Sequence, residues 1–226
     1  KVDAITQAQA ISRINEMVRD GAQHIVTTPN PEFIVAAQKD VEFRTVLNRA
    51  SLALPDGVGL RFAGWILNTP IPEQIAGSDF IWEIARLSAK NGYTMYLLGA
   101  GQGIAAAAAN KLRIRNPELG IVGSESGPPD ISSPLMGGGG GEGGDIIQHI
   151  KSAAPDILLV AFGHGKQEKW IAAHLHELPS VKIAMGVGGA FDFIAGRVRR
   201  APHLVRLLGF EWLWRLLRQP RRILRI

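Results

Sequence analysis

The sequence predicts an α/β fold, a mostly parallel Rossmann-like sheet with helices on both faces. Two observations carry this. Short apolar runs of strand character alternate with amphipathic stretches of helical period along most of the 226 residues. Glycine-rich or polar turns follow several of the apolar runs, where a parallel sheet places its ligand-binding crevice.

Strands are expected at residues 24–28, 51–54, 94–98, 120–122, 157–161 and 182–187. Helices are expected between them at 6–19, 31–49, 78–91, 104–115, 146–153 and 167–178. Near-continuous apolar strands such as Ile157-Leu158-Leu159-Val160-Ala161 suit a sheet buried on both faces. A glycine-rich run, 136–144, interrupts the rhythm and reads as a surface loop, because a phosphate cradle would need a strand before its glycines. These features define an α/β domain over 1–195 and a tail over 196–226.

At 46% hydrophobic residues the chain can close one sizeable core. Cysteine is absent, so disulfides and thiolate metal sites are excluded, which fits a reducing compartment. No run has the order of a signal peptide, and no apolar stretch reaches the roughly 18 residues needed to span a bilayer. A soluble or peripheral protein is expected.

The formal charge of +5 is unevenly spread. From Arg197 onward there are nine arginines, no lysine and one acid, Glu211, a formal +8; the rest, with 16 basic and 19 acidic residues, carries −3. Such a tail meets an anionic partner. It interleaves its arginines with Leu207, Leu208, Phe210, Trp212, Leu213 and Trp214. That mixture suits the headgroup region of a membrane, with guanidinium groups on phosphates, better than a nucleic acid. A C-terminal helix packed on its own domain is the plainer alternative.

Five turns hold the candidate chemistry. Thr27-Thr28-Pro29-Asn30 opens a helix, and its hydroxyl, amide and N–H groups suit a sugar or phosphate, or Asn30 simply caps the helix. Leu54-Pro55-Asp56-Gly57 places one carboxylate at a strand end, a candidate general base or a turn aspartate. Gly99-Ala100-Gly101-Gln102-Gly103 points amides toward a nucleotide phosphate, or serves tight packing; its G-x-G-x-G spacing and the position of Glu125, close to but not clearly at a strand end, disfavour NAD. In Gly165-Lys166-Gln167-Glu168-Lys169, Gln167 suits a sugar hydroxyl and Lys166 or Lys169 a phosphate. Gly186-Val187-Gly188-Gly189-Ala190-Phe191-Asp192 lets backbone approach a ligand, with Asp192 as an acceptor for a uracil or ribose donor or as a helix cap. No Asp-x-Asp pair exists, so the usual carboxylate clamp for a metal and a nucleotide diphosphate is missing and catalysis without a metal ion is expected. His174 and His176, two apart on a helix, do not form a metal pair.

Together with Ala76-Gly77-Ser78-Asp79, Ala195-Gly196, Arg199-Arg200-Ala201-Pro202 and Gly209-Phe210-Glu211-Trp212, these stretches resemble, in order, the WecG/TagA/CpsF family. The resemblance implies an inverting glycosyltransferase that moves N-acetylmannosamine, or a related sugar or uronic acid, from a UDP-sugar onto N-acetylglucosamine carried on polyprenyl diphosphate. The product would serve cell-surface polysaccharide or teichoic acid synthesis at the cytoplasmic face of the bacterial membrane, with the enzyme held peripherally on an anionic surface. It implies Asp56 as the catalytic base, with Thr28 and Gln167 at the sugar. Asn30 and Asp192 would belong to the nucleotide pocket, with Gly99 and Gly188 lining it, and Arg215, Arg222 and Arg225 would reach the diphosphates. No cofactor beyond the donor and no nucleic acid is implied, and a homo-oligomer stays open. Where the family usually has a basic residue ahead of Ala-Gly-Ser-Asp, this chain has Gln74. The alternatives are a nucleotide-dependent oxidoreductase built on Gly99–Gly103 and a non-enzymatic peripheral membrane adaptor that uses only the tail.

Overall fold

The computed structural model describes residues 1–127 and 142–198, and the tail from residue 199, with Arg215, Arg222 and Arg225, lies outside the described residues. The elements run α1 (Gln7–Arg19), β1 (His24–Thr27), α2 (Pro31–Lys39), α3 (Val41–Arg49), β2 (Leu52–Ala53), α4 (Val58–Ile66), α5 (Gly77–Asn91), β3 (Thr94–Gly99), α6 (Ile104–Arg115) and β4 (Gly120–Glu125). They continue with α7 (Glu142–Ala153), β5 (Ile157–Ala161), α8 (Lys166–His174), a 3₁₀ turn at Leu175–Glu177, β6 (Ile183–Gly186) and α9 (Ala190–Ile194). All six strands are parallel, in the order β2-β1-β6-β5-β3-β4. The expected α/β sheet with helices on both faces is what the chain forms.

Parallel pairing forces each strand to return through a helix, and the apolar stripes of those helices cover both faces. On one face Ile14 and Met17 of α1, Phe80 and Ile84 of α5, Ala105 and Ala108 of α6 and Phe191 of α9 pack on alternate strand residues such as Met95, Leu97 and Leu159. On the other, Ile147 and Ile150 of α7 and Trp170 and Ile171 of α8 pack on Tyr96, Leu98, Leu158 and Val160. A small third cluster joins α2 and α3 through Phe33, Ala37, Phe43 and Leu47.

Several boundaries differ from the sequence reading. The helix expected over 31–49 is two, broken at Asp40: its backbone is extended (φ −123°, ψ 99°), it ends α2, and its carboxylate accepts from the Phe43 N–H at 2.9 Å to cap α3. Lys169, read as a phosphate contact, instead bridges Asp40 (2.7 Å) and Glu42 (2.8 Å) and ties α8 to the start of α3. Helix α7 begins at Glu142 rather than Ile146, within the glycine-rich run 136–144. Helices α4 and α9 were not foreseen as elements. Strand β4 runs on to Glu125, so an acid does end it, but His149 takes that carboxylate at 2.8 Å, and the buried Tyr96 hydroxyl, its pKa raised first by burial and then by Glu125, bonds to it as well.

Strands β3 and β5 bring backbone close to backbone. Gly99 has φ +108°, and a Cβ there would stand 2.7 Å from the Ala161 carbonyl oxygen. Gly99→Ala is expected to cost about 2 kcal/mol and to lower Tm by roughly 4–8 °C. Thermal unfolding followed by circular dichroism checks this, and an unchanged Tm would show that the approach is not constraining.

Candidate active site

The strands point their carboxyl ends to one edge, and the loops there bring the candidate residues together. The β1–β2 ladder continues past the strands: Leu54 N–H donates to the Thr27 carbonyl (2.8 Å) and Asp56 N–H to the Pro29 carbonyl (2.9 Å). This holds the two polar loops side by side. Ile75 N–H donates to the Pro55 carbonyl (2.8 Å), which delivers the start of α5 to the same place.

There Gly77, the first residue of α5, donates its N–H to Asp56 Oδ2 at 3.4 Å. Ala76, which precedes it, offers no capping side chain, so the positive end of α5 faces the carboxylate. A Cβ on Gly77 would lie 3.2 Å from Thr28 Cγ2 and 3.5 Å from Thr28 Oγ1. The missing side chain thus lets Asp56, the buried Thr28 and the α5 N-terminus share one point. The sequence alone assigns Gly77 no role beyond its place in Ala76-Gly77-Ser78-Asp79.

Asn30 acts as the helix cap that the plainer reading expected: its Oδ1 accepts from the Phe33 N–H at 2.9 Å. Its amide nitrogen and the second lone pair of Oδ1 are then left for a ligand at that edge.

A second cluster forms where α8 meets the end of β6, the strand beside β1. Gln167 is buried, and its Oε1 accepts from the Gly188 N–H at 2.9 Å. Its Nε2 donates to Glu168 Oε1 at 2.7 Å, and Glu168 Oε2 accepts from the Gly165 N–H at 2.7 Å. Both ends of the Gln167 amide are therefore assigned by fixed partners. Gly186 makes this possible, since a Cβ there would fall 2.6 Å from Gln167 Nε2 and from Glu168 Oε1. Glu168 is the residue that sequence reasoning missed; beside two lysines it looked like part of a solvated helix face.

Gly99 and its loop stand farther along the edge, two strands from β6. Strand β3 returns outward through α6 to β4, while β5 returns the other way through α8 to β6, with α6 and α8 on opposite faces. That reversal opens a crevice beyond the carboxyl ends of β3 and β5. The loop is fixed on its inner side by Ala100 N–H to the Ala161 carbonyl (2.9 Å) and by Gly103 N–H to Ser126 Oγ (3.3 Å). Gly103 begins α6 without a capping side chain, so the first turn presents backbone donors to the crevice.

Asp192 lies in the first turn of α9, which packs between α5 and α6 on one face of the sheet. It is half-buried, and burial raises its pKa despite bonding to its own backbone and the nearby Arg197. Lys166 and His164 are exposed on the β5–α8 turn. His174 is buried and paired with Glu177 at 2.7 Å.

Burial pushes the Glu168 pKa up to about 7, with the bonds from Gln167 and Gly165 opposing it. The folded value lies above the ordinary 4.5, so the folded chain binds a proton that the unfolded chain releases between those pH values. The stability tied to Glu168 is whole below pH 4.5 and falls as pH rises through 7, by up to about 3 kcal/mol. Glu168→Gln turns an N–H toward one of the two donors and starts roughly 1–3 kcal/mol lower, yet it should lose this extra fall. Denaturant midpoints of both chains at pH 5 and pH 8 measure it, and parallel profiles would show Glu168 to be ionised throughout.

The family model of the glycosyl transferase WecG/TagA/CpsF family matches residues 1–226. A Bacillus subtilis (strain 168) protein named N-acetylglucosaminyldiphosphoundecaprenol N-acetyl-beta-D-mannosaminyltransferase is 30% identical over 196 residues, covering 87% of this chain and 72% of the relative. A Staphylococcus aureus (strain MW2) protein of the same name is 29% identical over 226 residues, covering 99% of this chain and 84% of the relative. With the parallel sheet and the cluster of Thr28, Asp56 and Gly77 at its carboxyl edge, the match over its whole length shows that the chain belongs to the WecG/TagA/CpsF family of glycosyltransferases.

Proposed function

We propose that this glycosyltransferase moves N-acetylmannosamine from its UDP conjugate, with inversion, onto N-acetylglucosamine linked to undecaprenyl diphosphate. The names of its relatives support the sugar and the acceptor. One observation carries the chemistry: the Asp56 carboxylate, fixed by the Gly77 N–H beside Thr28 at the carboxyl edge of the sheet.

Asp56 takes the proton from the acceptor hydroxyl as its oxygen attacks the anomeric carbon. The bond from that carbon to the UDP oxygen breaks on the opposite face, and the electron pair leaves with the diphosphate. Thr28 and Gln167 orient the sugar. The clamped Gln167 amide has one N–H left for this after its bond to Glu168. The N-terminus of α6, Gly99 and Gly188 bring backbone toward the nucleotide, and Asn30 and Asp192 complete its pocket. Arg215, Arg222 and Arg225, assigned by the family resemblance, take up the charge on the leaving diphosphate.

No helix among the described residues is long and apolar enough to cross a membrane. The basic tail is read as the peripheral contact with an anionic membrane, on the side where UDP-sugars are held. An oxidoreductase using Gly99–Gly103 finds no support in the site, because Glu125 at the end of β4 is already paired with His149.

Asp56→Asn is expected to keep UDP-sugar binding within a few-fold while turnover falls by about 10²-fold or more. Transfer to lipid-linked N-acetylglucosamine, followed by product mass, measures it; parental activity would overturn the base and favour a binding-only role. A panel of UDP-sugars in the same assay identifies the donor. Turnover should also survive EDTA, since the sequence has no Asp-x-Asp clamp. Loss with EDTA and recovery with magnesium or manganese would refute that.

A further inference from the structure

The α4 helix is packed inside out. Its inward positions are Gly59, Leu60 and Gly64, and both glycines are pressed close: a Cβ on Gly59 would lie 2.8 Å from Pro31 Cγ, and one on Gly64 would lie 2.7 Å from the Thr69 carbonyl. Its large apolar residues face out. Phe62 is 62% exposed, Trp65 73% and Ile66 62%, with Val58 on the same surface, and Leu67, just past the helix, is 70% exposed. Positions 58, 62, 65 and 66 fall on one side of a helical turn, so they form a single stripe, and the Phe62 and Trp65 rings lie 6.1 Å apart. The glycine contacts keep the helix from rotating to bury them. From Gly57 to Pro72 there is no acidic residue, and Arg61 is the one charge.

The stripe lies beside the proposed base. Val58 follows Asp56 by two residues, so α4 leaves the carboxyl edge at the proposed base. An acceptor with a long prenyl chain keeps that chain in the bilayer, so the base must reach the headgroup plane for transfer to occur. Trp65, Phe62, Ile66 and Leu67, with Arg61 free to extend toward phosphate, suit the boundary between headgroups and acyl chains. A helix of nine residues spans only about 14 Å and lies in the membrane plane rather than across it.

We propose that the outward face of α4 is a membrane-docking surface, inserting Phe62, Trp65, Ile66 and Leu67 into the boundary layer of the bilayer that carries the acceptor and bringing Asp56 down to the diphosphate. The choice of a bilayer rests on the proposed lipid-linked acceptor. The docking itself is tested without substrate.

The chain has no cysteine, so Leu67→Cys gives a single site for an environment-sensitive fluorophore in the full-length protein, and Ile114→Cys, 72% exposed at the far end of α6, gives the control. On adding vesicles of phosphatidylglycerol and phosphatidylethanolamine, the probe at 67 should shift to the blue and be quenched by brominated lipid, while the probe at 114 stays in water. Phe62→Ser/Trp65→Ser/Ile66→Ser should lower vesicle partitioning by about tenfold, with its fold checked by an unchanged circular dichroism melt. A probe at 67 that stays in water, or parental partitioning of the triple variant, would overturn the proposal. So would a probe at 67 already shielded without vesicles in a chain that sediments as a dimer, because a second copy would then be the occupant. If the parent docks but transfers no sugar, the glycosyl-transfer reading fails and the docking stands; if it transfers sugar to a water-soluble acceptor but the probe stays in water, the docking alone fails.

Discussion

In a sheet whose strands all run the same way, every strand must end at one edge, and the chain must turn there into the helix that carries it back. This constraint gathers Thr28, Asp56, Gly99, Gln167 and Gly188 at one edge although they are spread over 161 residues of sequence. It also brings helix N-termini to that edge. Four of them, α4, α6, α8 and α9, start from a glycine, Gly57, Gly103, Gly165 and Gly189. A glycine cap spends no side chain on the first-turn N–H groups where a serine or aspartate would bond one of them, although at α8 Glu168 takes the Gly165 N–H. The edge therefore carries electropositive backbone, suited to a diphosphate, without concentrating lysines.

Glycine also sets the spacing within the site. Gly77 lets Thr28 close on the start of α5 and leaves its N–H to Asp56, while Gly186 admits the side chains of Gln167 and Glu168 beneath the end of β6. In each case the polar group is fixed by backbone, which cannot change rotamer. Gln167 shows the effect: an amide held by an N–H at its oxygen and a carboxylate at its nitrogen has one orientation, as its proposed role toward a sugar hydroxyl requires. Glu168 is buried to hold that orientation, and its raised pKa is the cost of doing so.

What the sequence made legible were features with a period or a punctuating residue. Continuous apolar runs marked the strands, and the glycine and proline turns after them marked the edge. What it hid were contacts across sequence. Asp40 looked like one more polar residue in a long helix, and only its bond to the Phe43 N–H and its pairing with Lys169 make it a break. The same pairing removed Lys169 from the phosphate contacts. Glu125 was placed just off a strand end because the two glycines of Gly120-Ile121-Val122-Gly123 weaken the strand pattern; Gly123 is there because the Tyr96 ring occupies the space of a side chain. Helix α9 is five residues long, too short for a period to show. Helix α4 was passed over because its glycines face in and its aromatic residues face out, the reverse of the pattern by which a helix is recognised.

In the proposed docking, that reversal and the basic tail address the same surface by different physics. The segment from Arg197 carries +8 on a body of −3, so in the proposed peripheral contact its attraction to anionic lipid would act over a Debye length and orient the approach. Added salt weakens such a term. The α4 stripe has a single charge and gains free energy only once its side chains leave water, a short-ranged contribution that salt does not screen. Attraction by charge alone would hold the protein near the membrane in many orientations. In the proposed docking, an apolar stripe that starts two residues from Asp56 would select the orientation in which the carboxyl edge faces the lipid headgroups, and so would couple membrane binding to the placement of the proposed base.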